Sequence, residues 1–465
     1  MIRKNVIFSA FLFYSTFVFA DTVDEYLESQ LKEQKIPGIS LAIVKDGTIV
    51  KAQGYGFSNI EHQVAAKPET IYQSGSVGKQ FTATAVMMLV EDGKIGLDDP
   101  ITKYFKDAPK FWKQITVRHL LTHTSGIPDY TSESVNYRSD YTEDDLLKIL
   151  MKLKPEFSPG EKWNYSNSGY MLLGFLIRKV TGKFYGDVLE ERVFGPLGMT
   201  TAQVISESDI IPNRAAGYQL DKEKLRNQDW VSPTLNTTAD GALYLTVLDM
   251  ARWDEGHYGT KLLKQESFKK MWTPVRLNNQ TSYPYGFGWR LGYQRGHRVI
   301  EHSGHWQGFS TGISRYPDYD LTVIILTNLS GIDATLIAEE VAGIHEPALQ
   351  SVRQLKPIAD SNPALSAKLK EMLSAVAEKK DPEILMPTFR AMIDDDERKE
   401  VSEIAKDLKT FEPLVCDQVH GERMEFYGGT AVQFCNYRIQ SSTETRFLTA
   451  GISADGKITE FTLIK

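Results

Sequence analysis

The chain has 465 residues, 42% hydrophobic and 24% charged, with a formal net charge of −7. That composition is globular rather than disordered, and the length allows two or three domains around at least one large core. The balance is acidic and no long basic patch interrupts it, which excludes nucleic acid as an expected partner.

Residues 1–20 read as a secretory signal peptide. Arg3 and Lys4 form a positive start, and Val6 to Phe19 is apolar but too short to span a bilayer. Val18 and Ala20 place small residues before a cut at Asp21. No other apolar run of about 18 residues follows. The expected mature protein therefore has no stable membrane span and is periplasmic or secreted.

Residues 39–44 and 48–54 read as strands joined at Asp46-Gly47, a strong hairpin signal. Residues 79–91 carry Phe81, Ala85, Met88 and Leu89 at helical spacing, with Gly93 just past the end. Residues 116–250 read mainly as helices and loops, including a helix over 168–180. Strands return at 285–291, 298–302, 308–316 and 321–328. A hairpin early, strands late and helices between predict an α+β core. Its antiparallel sheet is completed by both ends of the segment, flanked by helices, with an inserted helical region.

The composition shifts near Glu346-Pro347. Residues 363–409 form amphipathic helical runs rich in Lys and Glu, and 412–465 read as short strands with turns at Tyr427-Gly428-Gly429 and Asp455-Gly456. The expected division is a signal peptide (1–20), a main domain (21–346) and a small C-terminal α+β domain (347–465). The order of elements in the last domain is similar to that of small cone-shaped domains of the nuclear transport factor 2 type. Cys416 and Cys435 are the only cysteines. In an exported chain they read as one disulfide, worth about 3 kcal/mol by chain entropy, with two buried free thiols as the alternative.

The chemical signal begins at Ser76-Val77-Gly78-Lys79. A serine hydroxyl needs a base within hydrogen-bond reach, and on a helix residues three apart share a face. Ser76 at a helix start also puts backbone N–H groups near a developing oxyanion. The spacing alone is weak: Ser29/Lys32 and Ser267/Lys270 repeat it and read as surface helix. Tyr165-Ser166-Asn167, the only Tyr-x-Asn, offers a proton shuttle and an amide that can both donate and accept. Read alone, it is also a plain helix start with a core tyrosine. His302-Ser303-Gly304 ends a strand-like run where a small residue and a glycine let a substrate lie against the strand. The next N–H, of His305, is a candidate second oxyanion donor.

These three segments, in this order, resemble the serine β-lactamase and penicillin-binding-protein-like hydrolases, especially the class C-like branch of DD-peptidases, D-aminopeptidases and esterases. His119-Leu120-Leu121-Thr122-His123-Thr124-Ser125-Gly126-Ile127 and Pro159-Gly160-Glu161 look like further signatures of that family. The resemblance covers about residues 22–345. It implies acyl transfer through Ser76, with Lys79 as base and Tyr165 as the acid for the leaving group. Asn167, His302, Ser303, Gly304 and His305 would bind substrate. His302 stands where many penicillin-recognising members carry lysine. A histidine titrates near neutral pH and anchors a carboxylate less firmly, so weak or no β-lactamase activity is expected. Arg298, four residues earlier, is a candidate substitute charge or a surface arginine. No cofactor or metal is implied, and the partner is a small-molecule or peptide substrate. The sequence leaves the oligomeric state open.

Competing readings are weaker. Gly308-Phe309-Ser310-Thr311-Gly312 matches a nucleophile elbow, but a strand rather than a helix follows it. His119/His123 lacks the glutamate of a zinc-protease helix, and His302/His305 lacks further ligands. A non-catalytic binding protein for cell-wall peptides or a partner protein remains the alternative. Tyr130, Tyr285, Phe287, Trp289, Trp306 and Phe309 are expected to line an aromatic cleft or the core beside it.

Overall fold

The computed structural model describes residues 22–131, 135–393 and 395–464. The expected signal peptide lies outside the described residues. A first helix, α1 (Thr22–Glu33), leads into the hairpin β1 (Gly38–Lys45) and β2 (Thr48–Asn59), and then the short β3 (Val64–Ala65). Asp46 and Gly47 at the turn both have positive φ, as the Asp-Gly signal requires. The helices α2 (Lys79–Glu91) and α3 (Asn167–Thr181) follow. Next come β4 (Arg290–Gln294), β5 (His297–Trp306), β6 (Phe309–Tyr316) and β7 (Leu321–Thr327), and then α4 (Ala334–His345).

The main sheet has seven strands in the order β4-β5-β6-β7-β1-β2-β3. The first hairpin closes on the last strand, with Ile39 opposite Thr327 and Lys45 opposite Leu321, all antiparallel. Both faces of the sheet are buried. Ile39, Leu41, Ile43, Val323 and Ile325 pack with α1 and α4, whereas Ala42, Val44, Ile324 and Leu326 pack into a larger core containing α2 and α3. The period of two explains why adjacent residues serve opposite cores. Helix α2 is buried on every side from Lys79 to Leu89, not only on the face its spacing suggested. A helix buried all round belongs in the middle of a domain, and its polar residues Lys79 and Thr82 are hydrogen-bonded there.

One expectation is corrected. Residues 285–289 are not strand. They form a tight loop in which the Gly286 N–H donates to the Trp289 carbonyl at 2.8 Å, and Phe287 and Trp289 turn into the core. Gly286 is required there, since a Cβ would lie 1.9 Å from the Met271 carbonyl oxygen. Residues 116–250 are mainly helices and loops, as expected, with the short strands Gln203–Val204 and Leu243–Leu245 joining Tyr72–Gln73 in a small sheet.

The last segment builds a separate core. Helices α5 (Pro363–Ala377) and α6 (Asp395–Ala405) pack on a four-stranded antiparallel sheet of β8 (Thr410–Gln418), β9 (Gln433–Gln440), β10 (Thr445–Ile452) and β11 (Ile458–Ile464). Cys416 and Cys435 face each other across β8 and β9 and are disulfide-bonded. This unit rests on the edge of the main sheet through the Arg295–Asp417 ion pair and the stacked rings of His297 and His420, and on the neighbouring loop region through a hydrogen bond from the Tyr427 N–H to the Ser282 carbonyl at 2.8 Å. Among the described residues no helix is long and apolar enough to cross a membrane.

Candidate active site

Ser76 sits in a single 3₁₀ turn, Gly75–Gly78, that runs directly into α2, whose first residue is Lys79. Side chains three apart eclipse in a 3₁₀ turn, so Lys79 Nζ lies 3.0 Å from Ser76 Oγ. Strand β5 presses against this turn. An ideal Cβ on Gly304 would lie 2.1 Å from the Ser74 carbonyl oxygen and 3.0 Å from Val77 N, and one on Gly75 would lie 2.5 Å from His305 N. Only glycine permits that approach. The Thr311 hydroxyl, from β6, donates to the Ser74 carbonyl at 2.6 Å and ties the turn to the sheet.

Lys79 is 0% exposed. Besides Ser76 it has two partners at 2.6 Å, Asn167 Oδ1 and the Asp240 carbonyl. Asn167 opens α3, and its Nδ2 and backbone N–H both donate to Asp129 Oδ2, at 2.8 and 3.2 Å. That contact assigns the amide: the nitrogen faces the carboxylate and the oxygen faces the lysine. The two sequence-predicted motifs on α2 and α3 thus meet at one side-chain nitrogen.

The Tyr165 ring lies under Lys79, with Nζ 4.9 Å from its centroid, and packs on His123 at 4.2 Å. The Tyr165 hydroxyl is buried and has no protein hydrogen-bond partner among the described residues. Behind it runs a wire of three side chains. The Ser166 N–H donates to His123 Nδ1 at 3.1 Å, so that imidazole carries its proton on Nε2, which faces the Tyr285 hydroxyl at 3.1 Å. Tyr285 in turn lies 2.9 Å from His302 Nε2, and His302 Nδ1 lies 2.6 Å from its acceptor, the Ser303 carbonyl.

This corrects the reading of His302 as a titrating anchor. It is 1% exposed, and burial, then the Arg290 charge, pushes its pKa down to about 3. Burial, then Lys79, also holds His123 well below the usual histidine range. Both rings are neutral at neutral pH, and both nitrogens of His302 are engaged. Ser303 is partly exposed on β5, and Gly304 is the contact point for the Ser76 turn. The exposed His305 side chain turns away to the Ile332 carbonyl at 3.1 Å, leaving its backbone beside Gly75.

A cleft of about 220 Å³ opens over this corner, lined by Ser76, Asn167, Asp240, Gly241, His305 and Trp306 among others. Its walls include no lysine or arginine side chain among the described residues. Arg298 is not the missing charge: it lies at the far end of β5 and faces Glu422 of the last segment at 3.5 Å. Of the six expected aromatic residues, Trp306 lines the cleft, its Nε1 donating to Asn236 Oδ1 at 2.7 Å. Phe287, Trp289 and Phe309 are core, Tyr285 joins the wire, and Tyr130 donates to Asp240 Oδ2 at 2.9 Å. Ser310 is buried within β6 and accepts the Ile332 N–H. His119 accepts the Thr116 N–H in a helix cap and does not pair with His123.

Sequence reasoning missed Asp129 and Asp240, and it met His123 as part of a family signature and as a rejected zinc ligand, without a role in the site. Asp240 is 161 residues from Lys79, and no local pattern announces it.

A protein-family model described as Beta-lactamase matches residues 19–343. Penicillin-binding protein 4* of Bacillus subtilis (strain 168) is 32% identical over 309 residues, spanning 61% of this chain and 68% of that protein. Among solved structures, an octameric penicillin-binding protein homologue from Pyrococcus abyssi superposes with a TM-score of 0.63 at 26% identity, covering 95% of this chain and 99% of the other. A D-amino acid amidase from Ochrobactrum anthropi SV3, complexed with L-phenylalanine, superposes with a TM-score of 0.61 at 25% identity, covering 70% and 97%.

Proposed function

This chain belongs to the beta-lactamase family and is a serine hydrolase, and from that premise we propose that it cleaves an ester or amide through an acyl-enzyme on Ser76. The observation that carries the reading is the set of three partners around Lys79 Nζ. An unprotonated lysine has two N–H groups and one lone pair. Asn167 Oδ1 and the Asp240 carbonyl can only accept, so they take both N–H groups. The lone pair is left facing the Ser76 hydroxyl at 3.0 Å. In the protonated form the third N–H points at Oγ and blocks attack.

In the forward step Ser76 Oγ bonds to the substrate carbonyl carbon and its proton passes to Lys79. The carbonyl oxygen takes up charge beside the backbone N–H groups of Ser76 and His305. The Tyr165 hydroxyl, free of protein partners among the described residues, gives its proton to the leaving group and recovers one from Lys79. Water then attacks the acyl-enzyme by the reverse sequence. Asn167 holds Lys79 in place and stays within reach of substrate.

A neutral His302 and walls without lysine or arginine offer no fixed charge for a carboxylate. We therefore favour esters or amides of the D-amino-acid type over penicillins or peptides ending in a carboxylate, with weak or no β-lactamase activity. The apolar N-terminal stretch and the disulfide support export to the periplasm or medium. The C-terminal segment, from about residue 347, we read as a separate small domain docked behind the site.

The test is intact-mass analysis after exposure to a fluorophosphonate and, separately, to benzylpenicillin. An adduct with the fluorophosphonate that disappears in Ser76→Ala supports the reading. No adduct, or one that persists in Ser76→Ala, overturns it. Fast turnover of benzylpenicillin would overturn the substrate preference alone.

A further inference from the structure

The cleft contains one charged group that the proposed reaction does not use. Asp240 is 8% exposed and stands in the cleft wall beside Gly241. Its backbone carbonyl serves Lys79, but its carboxylate does not. Oδ2 accepts from the Tyr130 hydroxyl at 2.9 Å, whereas Oδ1 is buried with no protein hydrogen-bond partner among the described residues. The nearby Thr238 hydroxyl spends its hydrogen bond on the Leu235 carbonyl at 3.2 Å. No salt bridge reaches this carboxylate among the described residues.

A buried carboxylate with an empty acceptor is costly to maintain. Burial raises its pKa, and the Lys79 charge, followed by the neighbouring Thr238 and Tyr130 hydroxyls, only partly offsets that. A bound donor would complete it. The complement of an unpaired carboxylate oxygen, in walls that lack any other fixed charge among the described residues, is a cation with N–H donors. Part of the wall suits an apolar side chain, since Leu235, Ala242 and Trp306 line the same space.

We infer that Asp240 is the receptor for a free ammonium group on the acyl part of the substrate, so that the enzyme acts on aminoacyl esters or amides with an unblocked amine. Asp240 Oδ1 accepts a charge-assisted hydrogen bond from the ammonium, Trp306 and Leu235 hold the side chain, and the scissile carbonyl lies at Ser76. The inference rests on the Ser76 reading for its placement of the carbonyl.

The test compares two benzyl thioesters that differ only in the amine, those of D-phenylalanine and of 3-phenylpropanoic acid, on the wild type and on Asp240→Asn. The quantity read is the ratio of their kcat/KM values. A general disturbance of Lys79, whose partner is the Asp240 backbone, lowers both rates and cancels in the ratio. The expected wild-type preference for the amine is about 10- to 100-fold, as for a hydrogen bond to a charged group, and Asp240→Asn removes it. In parallel, D-phenylalaninol is titrated calorimetrically into Ser76→Ala and into Ser76→Ala/Asp240→Asn, with binding expected only to the first. Thioester turnover that needs Ser76 but shows no amine preference, or a preference that survives Asp240→Asn, overturns this inference and leaves the Ser76 reading intact. Asp240-dependent binding without Ser76-dependent turnover upholds the site and overturns the Ser76 reading. Neither binding nor turnover overturns both.

Discussion

The Tyr285 hydroxyl donates to His302 Nε2 across 2.9 Å, and the direction of that bond is determined at both ends of the wire. The Ser166 N–H can only donate, and the Ser303 carbonyl can only accept. Between them one arrangement of protons satisfies every group. The wire therefore joins the start of α3, next to Tyr165, to β5, next to the Ser76 turn, without placing a charge behind the site.

Tyr285→Phe removes the one hydroxyl that serves both rings. His302 Nε2 and the His123 Nε2–H are then buried without partners. The expected loss is about 1–3 kcal/mol of stability, measured by urea unfolding. A variant as stable as the wild type would show that the wire holds nothing together.

Lys79→Met keeps an unbranched side chain, one atom shorter, but removes the base. Labelling of Ser76 by a fluorophosphonate should slow by about 10²- to 10⁴-fold, the usual contribution of a general base. Unchanged labelling would mean that another group takes the serine proton.

Gly304→Ala places a methyl group 2.1 Å from the Ser74 carbonyl oxygen, a backbone atom that cannot rotate away. The Ser76 turn must move off β5, and with it the alignment of the hydroxyl, the lysine and the His305 N–H. A displacement of this kind costs about 100-fold in kcat/KM. The far-UV spectrum should be unchanged, and full activity in a folded variant would show that the contact does not position Ser76.

His302 gives the protein an acid sensitivity of defined sign. Its pKa is about 3 in the fold against an ordinary value of 6.5. Between those values the unfolded chain binds the proton and the native state does not, so stability from this group is complete above pH 6.5. It is lost as pH falls from there toward 3, by up to about 1.4 kcal/mol per pH unit. His302→Gln should flatten the wild-type dependence of unfolding free energy on pH between 5 and 7. Equal slopes in the two proteins would show that His302 titrates normally.

Reducing the disulfide should destabilise the C-terminal sheet by about 3 kcal/mol, the chain-entropy value for cysteines 19 residues apart. Thermal unfolding with and without dithiothreitol, followed at 222 nm, measures it. No change in either transition would mean that the bridge constrains little.

Much of the main sheet was legible because its strands carry the signals that local physics imposes. Asp46-Gly47 sets the hairpin, and the runs that became β6 and β7 are β-rich and bounded by turn residues. The loop at 285–289 was misread because its aromatic residues look like a strand when the glycines between them are ignored. What forces the turn is the Met271 carbonyl, which no neighbour in sequence reveals.

The chain by itself determined which residues could do chemistry. Ser76 and Lys79 are three apart, so any helical turn brings them together, and the order of the three motifs is a property of the sequence. Tertiary structure alone decided what those groups are in place. His302 looked like a titrating anchor because a histidine in water is one. Burial beside Tyr285 makes it a neutral strut, since an imidazolium there would have no water to solvate its charge. Asp240 and Asp129 entered the site only when the folded chain carried them to α2 and α3. Contacts between residues 38 to 161 positions apart depend on how sheet and helices pack, and local sequence does not encode them.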